Sequence, residues 1–141
     1  MKSKFSTSWK ASKQSRKQRK YRHEAPLHVR HKFLSAPLSK ELRKKYGMRS
    51  LTVRTGDEVN IMRGTFASSK AKVLKVNSNK GRITLDGITR KKADGTKLNV
   101  YFDPSKLQII ALKLDDSRRI SKKSAVESKK SEEKNNASDK K

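Results

Sequence analysis

Between Val53 and Leu112 the apolar residues of this chain come in five short runs, each ended by turn chemistry, and this pattern limits the available folds more than any other feature. Val59 and Ile61 alternate with Glu58 and Asn60. Then come residues 72–76, Ile83 with Leu85, Leu98 with Val100 and Phe102, and residues 107–112. A period of two places successive side chains on opposite faces, so these runs read as half-buried strands. The separators Asn79-Lys80-Gly81, Asp94-Gly95 and Asp103-Pro104-Ser105 supply positive φ or a fixed bend. Asp86-Gly87 falls inside a longer strand pattern and is expected to bulge. The pattern predicts a mainly β domain, a small antiparallel barrel over 52–114. A domain of that size buries only ~60% of its unfolded surface, so its stability alone would be marginal.

Upstream the pattern changes. Pro26 can open a short helix, because its missing N–H is not needed in the first turn, and Leu27, His31 and Leu34 then share a face. A second helix is predicted over 37–46, where Leu38, Leu42 and Tyr46 recur at four-residue spacing and Gly47 is placed to stop it. Its opposite face carries Lys40, Arg43, Lys44 and Lys45. Residues 1–23 have no apolar periodicity and read as an extended arm whose aromatics are Phe5, Trp9 and Tyr21. After the strands, Asp115-Asp116 can start a short helix, and from Ser124 the chain is low-complexity and expected to be disordered. The expected organisation is a basic arm (1–24), a helical extension (25–51), the barrel (52–114) and a short helix with a disordered tail (115–141).

Charge decides what such a chain binds. Lys and Arg number 38 against 13 acids, a formal net charge of +25, and the first 55 residues carry +15 of it. A compact domain of that charge repels itself unless a polyanion compensates. With 31% hydrophobic residues no large core can form, and nucleic acid is the leading partner. A membrane surface would need a long apolar run or a large amphipathic basic helix, and neither is present. The absence of Cys removes disulfides and thiolate metal sites and accords with a cytoplasmic protein. The N-terminus lacks the apolar segment of a secretory signal, so the Asn136-Ala137-Ser138 glycosylation match carries nothing. A mitochondrial presequence, also Arg- and Ser-rich and poor in acids, is the minor alternative.

Enzyme chemistry finds few residues. His23-Glu24 and His28 miss the i, i+4 spacing of a zinc-protease helix, and Pro26 interrupts the turn. His28 and His31 lack a third ligand. Asp57-Glu58 and Asp115-Asp116 suit the starts of a strand and a helix. No catalytic residue, metal site, cofactor or small-molecule substrate is expected. Lys13, Arg16, Lys17, Arg19, Lys20 and Arg22, by contrast, come too densely and too free of acids for an ordinary solvated face. They predict phosphate contacts, with backbone and shape recognition dominating over base readout. Trp9 and Tyr21 either stack on unpaired bases or anchor the arm on protein, and the sequence leaves both open.

From Gly56 the chain resembles a known motif. Residues 56–64 (GDEVNIMRG) followed by 72–76 (KVLKV) resemble the KOW motif of ribosomal and transcription-elongation proteins. Upstream, 25–28 (APLH) and 34–47 (LSAPLSKELRKKYG), and downstream 91–96 (KKADGT) and 104–107 (PSKL), are similar to the large-subunit ribosomal protein twenty-four family, called twenty-six in eukaryotes, in its archaeal and eukaryotic branch. The resemblance implies an SH3-like barrel that binds large-subunit rRNA early in assembly, near the polypeptide exit tunnel. Partners would be that rRNA, neighbouring ribosomal proteins and tunnel-exit factors, without membrane insertion.

The residues expected to meet rRNA follow from charge and resemblance together. In the arm they are Lys13, Arg16, Lys17, Arg19, Lys20, Tyr21 and Arg22. In the extension they are His28, Arg30, His31, Lys32, Lys40, Arg43, Lys44, Lys45 and Arg49. Along the barrel they are Arg54, Arg63, Ser68, Ser69, Lys70, Arg90, Lys91 and Lys92. One departure stands out. The family's loop runs Lys-Gly, two variable residues, then Gly, whereas this chain has Ala67-Ser68, Ser69-Lys70 and Ala71. Loss of both glycines predicts a loop rebuilt without positive φ, with Ala71 in ordinary strand geometry. A KOW transcription factor or a nucleoid-condensing protein is the alternative from another class. The first would want a further docking domain; the second would need only the arm.

Overall fold

The computed structural model describes residues 5–116 and 118–120. A 3-10 helix, Thr7–Trp9, leads into α1 (Ser15–Glu24) and α2 (Leu27–Phe33). Next come β1 (Ser35–Pro37), α3 (Lys40–Tyr46) and β2 (Ser50–Thr52). The remaining strands are β3 (Glu58–Ile61), β4 (Lys70–Asn77), β5 (Arg82–Lys91), β6 (Lys97–Phe102) and β7 (Leu107–Ala111). The last five form one antiparallel sheet in the order β6-β5-β4-β3-β7, and β1 pairs with β2 in a second, two-stranded sheet. Among the described residues no hydrogen-bonded pairing joins β6 to β7, so by its ladders the sheet is open.

The turns work as their residues dictate. After β4 the Asn77 carboxamide oxygen accepts from the N–H groups of Asn79 and Lys80, each at 3.1 Å, and Gly81 follows at φ 62°. After β5 the Asp94 carboxylate accepts from the Thr96 N–H at 2.9 Å and its hydroxyl at 2.7 Å. Both are side chains substituting for backbone turn bonds. Asp86-Gly87 lies in an irregularity of β5, whose register against β6 shifts between Thr84 and Thr89, with Gly87 at φ 72°. That break lets Leu85 and Ile88 both turn inward.

The core is shared between strands and extension. Val59, Ile61, Val73, Ile83, Leu85, Phe102, Leu107 and Ile109 come from the large sheet, and Leu34, Ala36 and Leu38 join the same cluster from β1 and its flanks. Leu38 bridges to Ile109, and the Ser39 N–H donates to the Ile109 carbonyl at 2.9 Å. Leu34 and Leu38 are both fully buried, and burying two such side chains contributes on the order of 3–6 kcal/mol as an upper bound.

Four expectations about the flanking segments change. The extended arm contains α1. Its Lys, Arg and Gln residues form helix readily, and Tyr21 supplies the anchor that repulsion alone would deny, its ring lying 5.0 Å from Phe5 and 6.0 Å from Phe33. The helix predicted over 37–46 begins at Lys40, because residues 35–37 are drawn into pairing with Ser50–Thr52. Ser39 then caps it by accepting from the Leu42 N–H, and Gly47 ends it at φ 62°. The Leu27–His31–Leu34 face is not a core face: Leu27 is 58% exposed, and Leu34, already past the helix end, is the one that packs. Asp115 and Asp116 are themselves outside any helix, and the Arg119 N–H donates to the Asp116 carbonyl at 3.1 Å. The tail from Ser124 lies outside the described residues.

Candidate nucleic-acid interface

On α1 the side chains divide by face. Tyr21 is buried, and the Gln18 carboxamide donates to the carbonyls of Trp9, Lys10 and Ser12, tying the preceding turn to the helix. Arg16, Lys17, Arg19, Lys20 and Arg22 take the rest of the circumference and are exposed, as is Lys13 before the helix. Tyr21 lies tilted against Phe5 and edge-on to Phe33 and is 8% exposed, so its ring serves to anchor the arm and leaves little surface for stacking on a base. Trp9 is half-buried with the Lys20 ammonium 5.1 Å from its ring centre, which also favours anchoring.

In the extension His28, His31, Lys32, Lys40, Lys44, Lys45 and Arg49 are exposed, whereas Arg30 and Arg43 are half-buried and partly committed to the chain itself. Arg30 donates to the carbonyls of Ala25 at 2.7 Å and His23 at 2.8 Å and to the Asn79 side chain at 2.8 Å, clamping the α1–α2 corner onto the β4–β5 turn. Arg43 donates through Nε to the Leu38 carbonyl at 2.8 Å, and Arg54 pairs with Asp116 at 2.7 Å. The Arg54 guanidinium, followed by the Arg118 N–H, holds the Asp116 carboxyl below the usual carboxylate range.

The fold gathers cations that are distant in sequence. Arg22 and Arg30 share an open cleft with Lys80 and Arg82 of the β4–β5 turn, against Asp103. Arg63 and Arg90 share another with Arg82 and Lys106. Lys80, Arg82 and Lys106 were not among the residues expected from sequence; Lys80 carried a signal as the middle of the Asn-Lys-Gly turn and Lys106 as part of the 104–107 match, Arg82 none. Lys91 and Lys92 sit at the exposed β5–β6 tip with Asp94, whose carboxyl the Thr96 hydroxyl and then its N–H hold below the usual range.

The loop after β3 is closed rather than splayed. The Ser68 N–H donates to the Ile61 carbonyl at 2.8 Å, the Ile61 N–H to the Ser69 carbonyl at 3.0 Å, and Phe66 packs edge-on to Phe102 with ring centres 6.2 Å apart. Ala71 pairs with Val59 in the ladder without positive φ, as expected. The rest of the rebuilt-loop expectation fails: Ser68, where the resemblance predicts a lost glycine and a negative φ, has φ at +66°. The Ile61 hydrogen bonds at 68 and 69 dictate this turn whichever residue occupies it. Ser68, Ser69 and Lys70 are exposed on its rim.

One further residue was missed. Asp57 is fully buried and receives the Arg119 guanidinium on both oxygens, Arg119 Nη1 lying 2.6 Å from one of them. It also accepts from the N–H groups of Arg54 at 2.8 Å and Lys113 at 3.1 Å. Arg119 donates as well to the carbonyls of Lys113 and Thr52. This node knots the start of β3 to the segments that precede β3 and follow β7. Among the described residues no three His, Asp or Glu side chains group as a metal site, and no helix is long and apolar enough to cross a membrane.

Residues 12–129 match the family of ribosomal proteins called L26 in eukaryotes, together with its archaeal members of the twenty-four type. The chain belongs to this family. The match takes in α1, the extension, the whole sheet and the Asp57–Arg119 node. Relatives agree in name. A protein of Korarchaeum cryptofilum called large ribosomal subunit protein uL24 is 48% identical over 103 residues, 73% of this chain and 79% of its own. A protein of Methanosarcina barkeri with the same name is 48% identical over 110 residues, 78% of this chain and 95% of its own. The family is one of ribosomal proteins, not of enzymes.

Proposed function

We propose that this chain is a structural constituent of the large ribosomal subunit that binds large-subunit rRNA early in assembly, near the polypeptide exit tunnel, beside neighbouring ribosomal proteins and tunnel-exit factors. One observation carries the reading. The segment holding +15 of the +25 charge is pinned to the core by Leu34, Ala36 and Leu38, with Tyr21 anchoring its helix on Phe33, while nearly all its cations among the described residues face outward. A loose tail would neutralise phosphate anywhere; a pinned one presents cations at fixed spacings, which is how shape recognition of folded RNA works.

The five-stranded sheet serves as an SH3-like barrel in this reading. β6 and β7 stand at opposite edges of the ladder order, yet the link between them is Asp103 and the 3-10 turn Pro104–Lys106. In a flat sheet the edge strands would be ~19 Å apart at ~4.8 Å per strand. The link covers roughly 12 Å at most, given ~2 Å rise per residue of 3-10 turn. A link that short supports a sheet curled until its edges approach. In this scheme residues 1–24 are the arm, 25–51 the rRNA-binding extension, 52–114 the barrel and 115–141 the tail. The rRNA contacts are the exposed cations of arm and extension, Arg54, Arg63, the 68–70 rim and the 90–92 tip.

The test is the salt dependence of binding to an rRNA fragment. Each neutralised phosphate releases counterion, with a log–log slope of ~0.7–0.9 per contact, so six or more contacts give a steep line. A slope worth one or two contacts refutes the electrostatic account. Co-sedimentation with large-subunit particles separates this reading from a transcription or nucleoid role.

A further inference from the structure

Tyr101 is the most exposed large hydrophobic side chain of the described residues, at 63%, and nothing in the fold explains its position. It stands on β6, an edge strand, in a cross-strand row with Thr84 of β5 and Lys75 of β4. The row is stiff, because the Thr84 hydroxyl donates to the Lys75 carbonyl at 3.2 Å and Thr84 is itself buried. A register shift in β4 between Val73 and Lys75 leaves both Leu74 and Lys75 exposed beside it. Asn99, two residues along the same strand, falls on the same face. Tyr101 lines two open grooves, one with Lys75, Arg82 and Asn99, the other with Arg63, Arg90 and Lys106. Against these five cations stands Asp103, already paired with Arg82 at 2.7 Å.

We propose that Tyr101 is a stacking platform for an unpaired RNA base, with the cations on either side holding the adjoining phosphates and Asn99 within reach of the base edge. This deepens the rRNA reading and rests on it, but assigns a kind of contact that charge alone does not supply. A flat ring held on a rigid sheet gives up little side-chain entropy on stacking, and every base presents a π-face to it. In a duplex those faces are already stacked, so the site selects an unpaired nucleotide. Charge complementarity chooses the occupant. A protein partner docking on this patch would have to meet five cations balanced by a single lining acid, Asp103, whereas the RNA backbone brings an anion with every base.

The experiment compares the full chain with Tyr101→Ala and Tyr101→Phe, using a ten-nucleotide single-stranded oligoadenylate and a ten-base-pair RNA duplex at several salt concentrations. Tyr101→Ala should weaken oligoadenylate binding about tenfold, within the range of base–aromatic stacking, and change duplex binding less than twofold. Tyr101→Phe should keep wild-type affinity. The salt slope should be unchanged in both, because stacking releases no counterion. An unaltered single-strand affinity in Tyr101→Ala overturns the proposal and leaves the patch to a protein partner. Equal loss on both RNAs, or loss in Tyr101→Phe, overturns it as well, pointing to a general effect on the fold or to the hydroxyl. In all these cases the wild-type chain still binds RNA and the rRNA reading stands. Failure of the wild-type chain to bind either RNA defeats both.

Discussion

Replacing Arg119 by alanine should destabilise the protein more than any other truncation of an arginine among the described residues. The side chain sits against a carboxylate with no exposed surface, and the two groups are 62 positions apart in the chain. Removing one partner of a buried pair strands the other charge and costs about 3–5 kcal/mol. Here Asp57 retains two backbone donors, the N–H groups of Arg54 and Lys113, so the loss falls at the lower end, about 3 kcal/mol. Small domains have only ~5–15 kcal/mol in total, and a loss of this size corresponds to a drop in melting temperature on the order of 10 °C. Urea denaturation of the full chain, followed by far-UV circular dichroism, measures it. Arg118→Ala, at an exposed neighbour, is the control and should stay within ~0.5 kcal/mol of wild type. Combining Arg119→Met with Asp57→Asn should recover part of the loss, since no buried charge then remains unpaired. If Arg119→Ala melts within ~0.5 kcal/mol of wild type, the node is not holding the sheet and the reasoning is wrong.

The loop makes a prediction of opposite signs. Ala71→Gly should cost roughly 0.5–1 kcal/mol through unfolded-state entropy, whereas Ser68→Gly should gain up to ~1 kcal/mol by relieving the left-handed φ; equal losses in denaturant melts would contradict the assigned backbone. Asp94 should titrate below its ordinary value of 3.8. Its contribution to the turn is therefore present above that value and lost as pH falls through the lowered midpoint. Thr96→Val should move the midpoint upward in a carboxyl-carbon NMR titration, and an unmoved midpoint counts against the hydroxyl as cause. Tyr21→Ala should abolish amide-exchange protection in α1 while leaving β3, β4 and β5 protected, because the helix is held by Phe5 and Phe33 and not by its own propensity. Retained protection in α1 would show that the helix needs no anchor.

What the chain determined by itself were the features set by neighbours in sequence. Asn77 to Gly81 and Asp94 to Thr96 close their own turns, Gly47 stops α3 with its own positive φ, and the alternation at Val59 and Ile61 assigns a buried face before any partner strand is known. The polyanion partner was legible too, because net charge is a sum over the chain that no folding changes. Tertiary structure alone decided which charges are available and what surrounds them. Arg30, Arg43 and Arg54 read as RNA contacts but spend donors on carbonyls, Asn79 and Asp116, while Lys80, Arg82 and Lys106 join the clefts from turns that looked merely structural. Tyr21 and Tyr101 are the same residue type with no local sign to tell them apart. One lies between two rings brought from positions 5 and 33, the other on β6, an edge strand of the ladder among the described residues. A residue type states what bonds a side chain can make. Which of them it makes depends on groups tens of residues away, and only the packed chain brings those within reach.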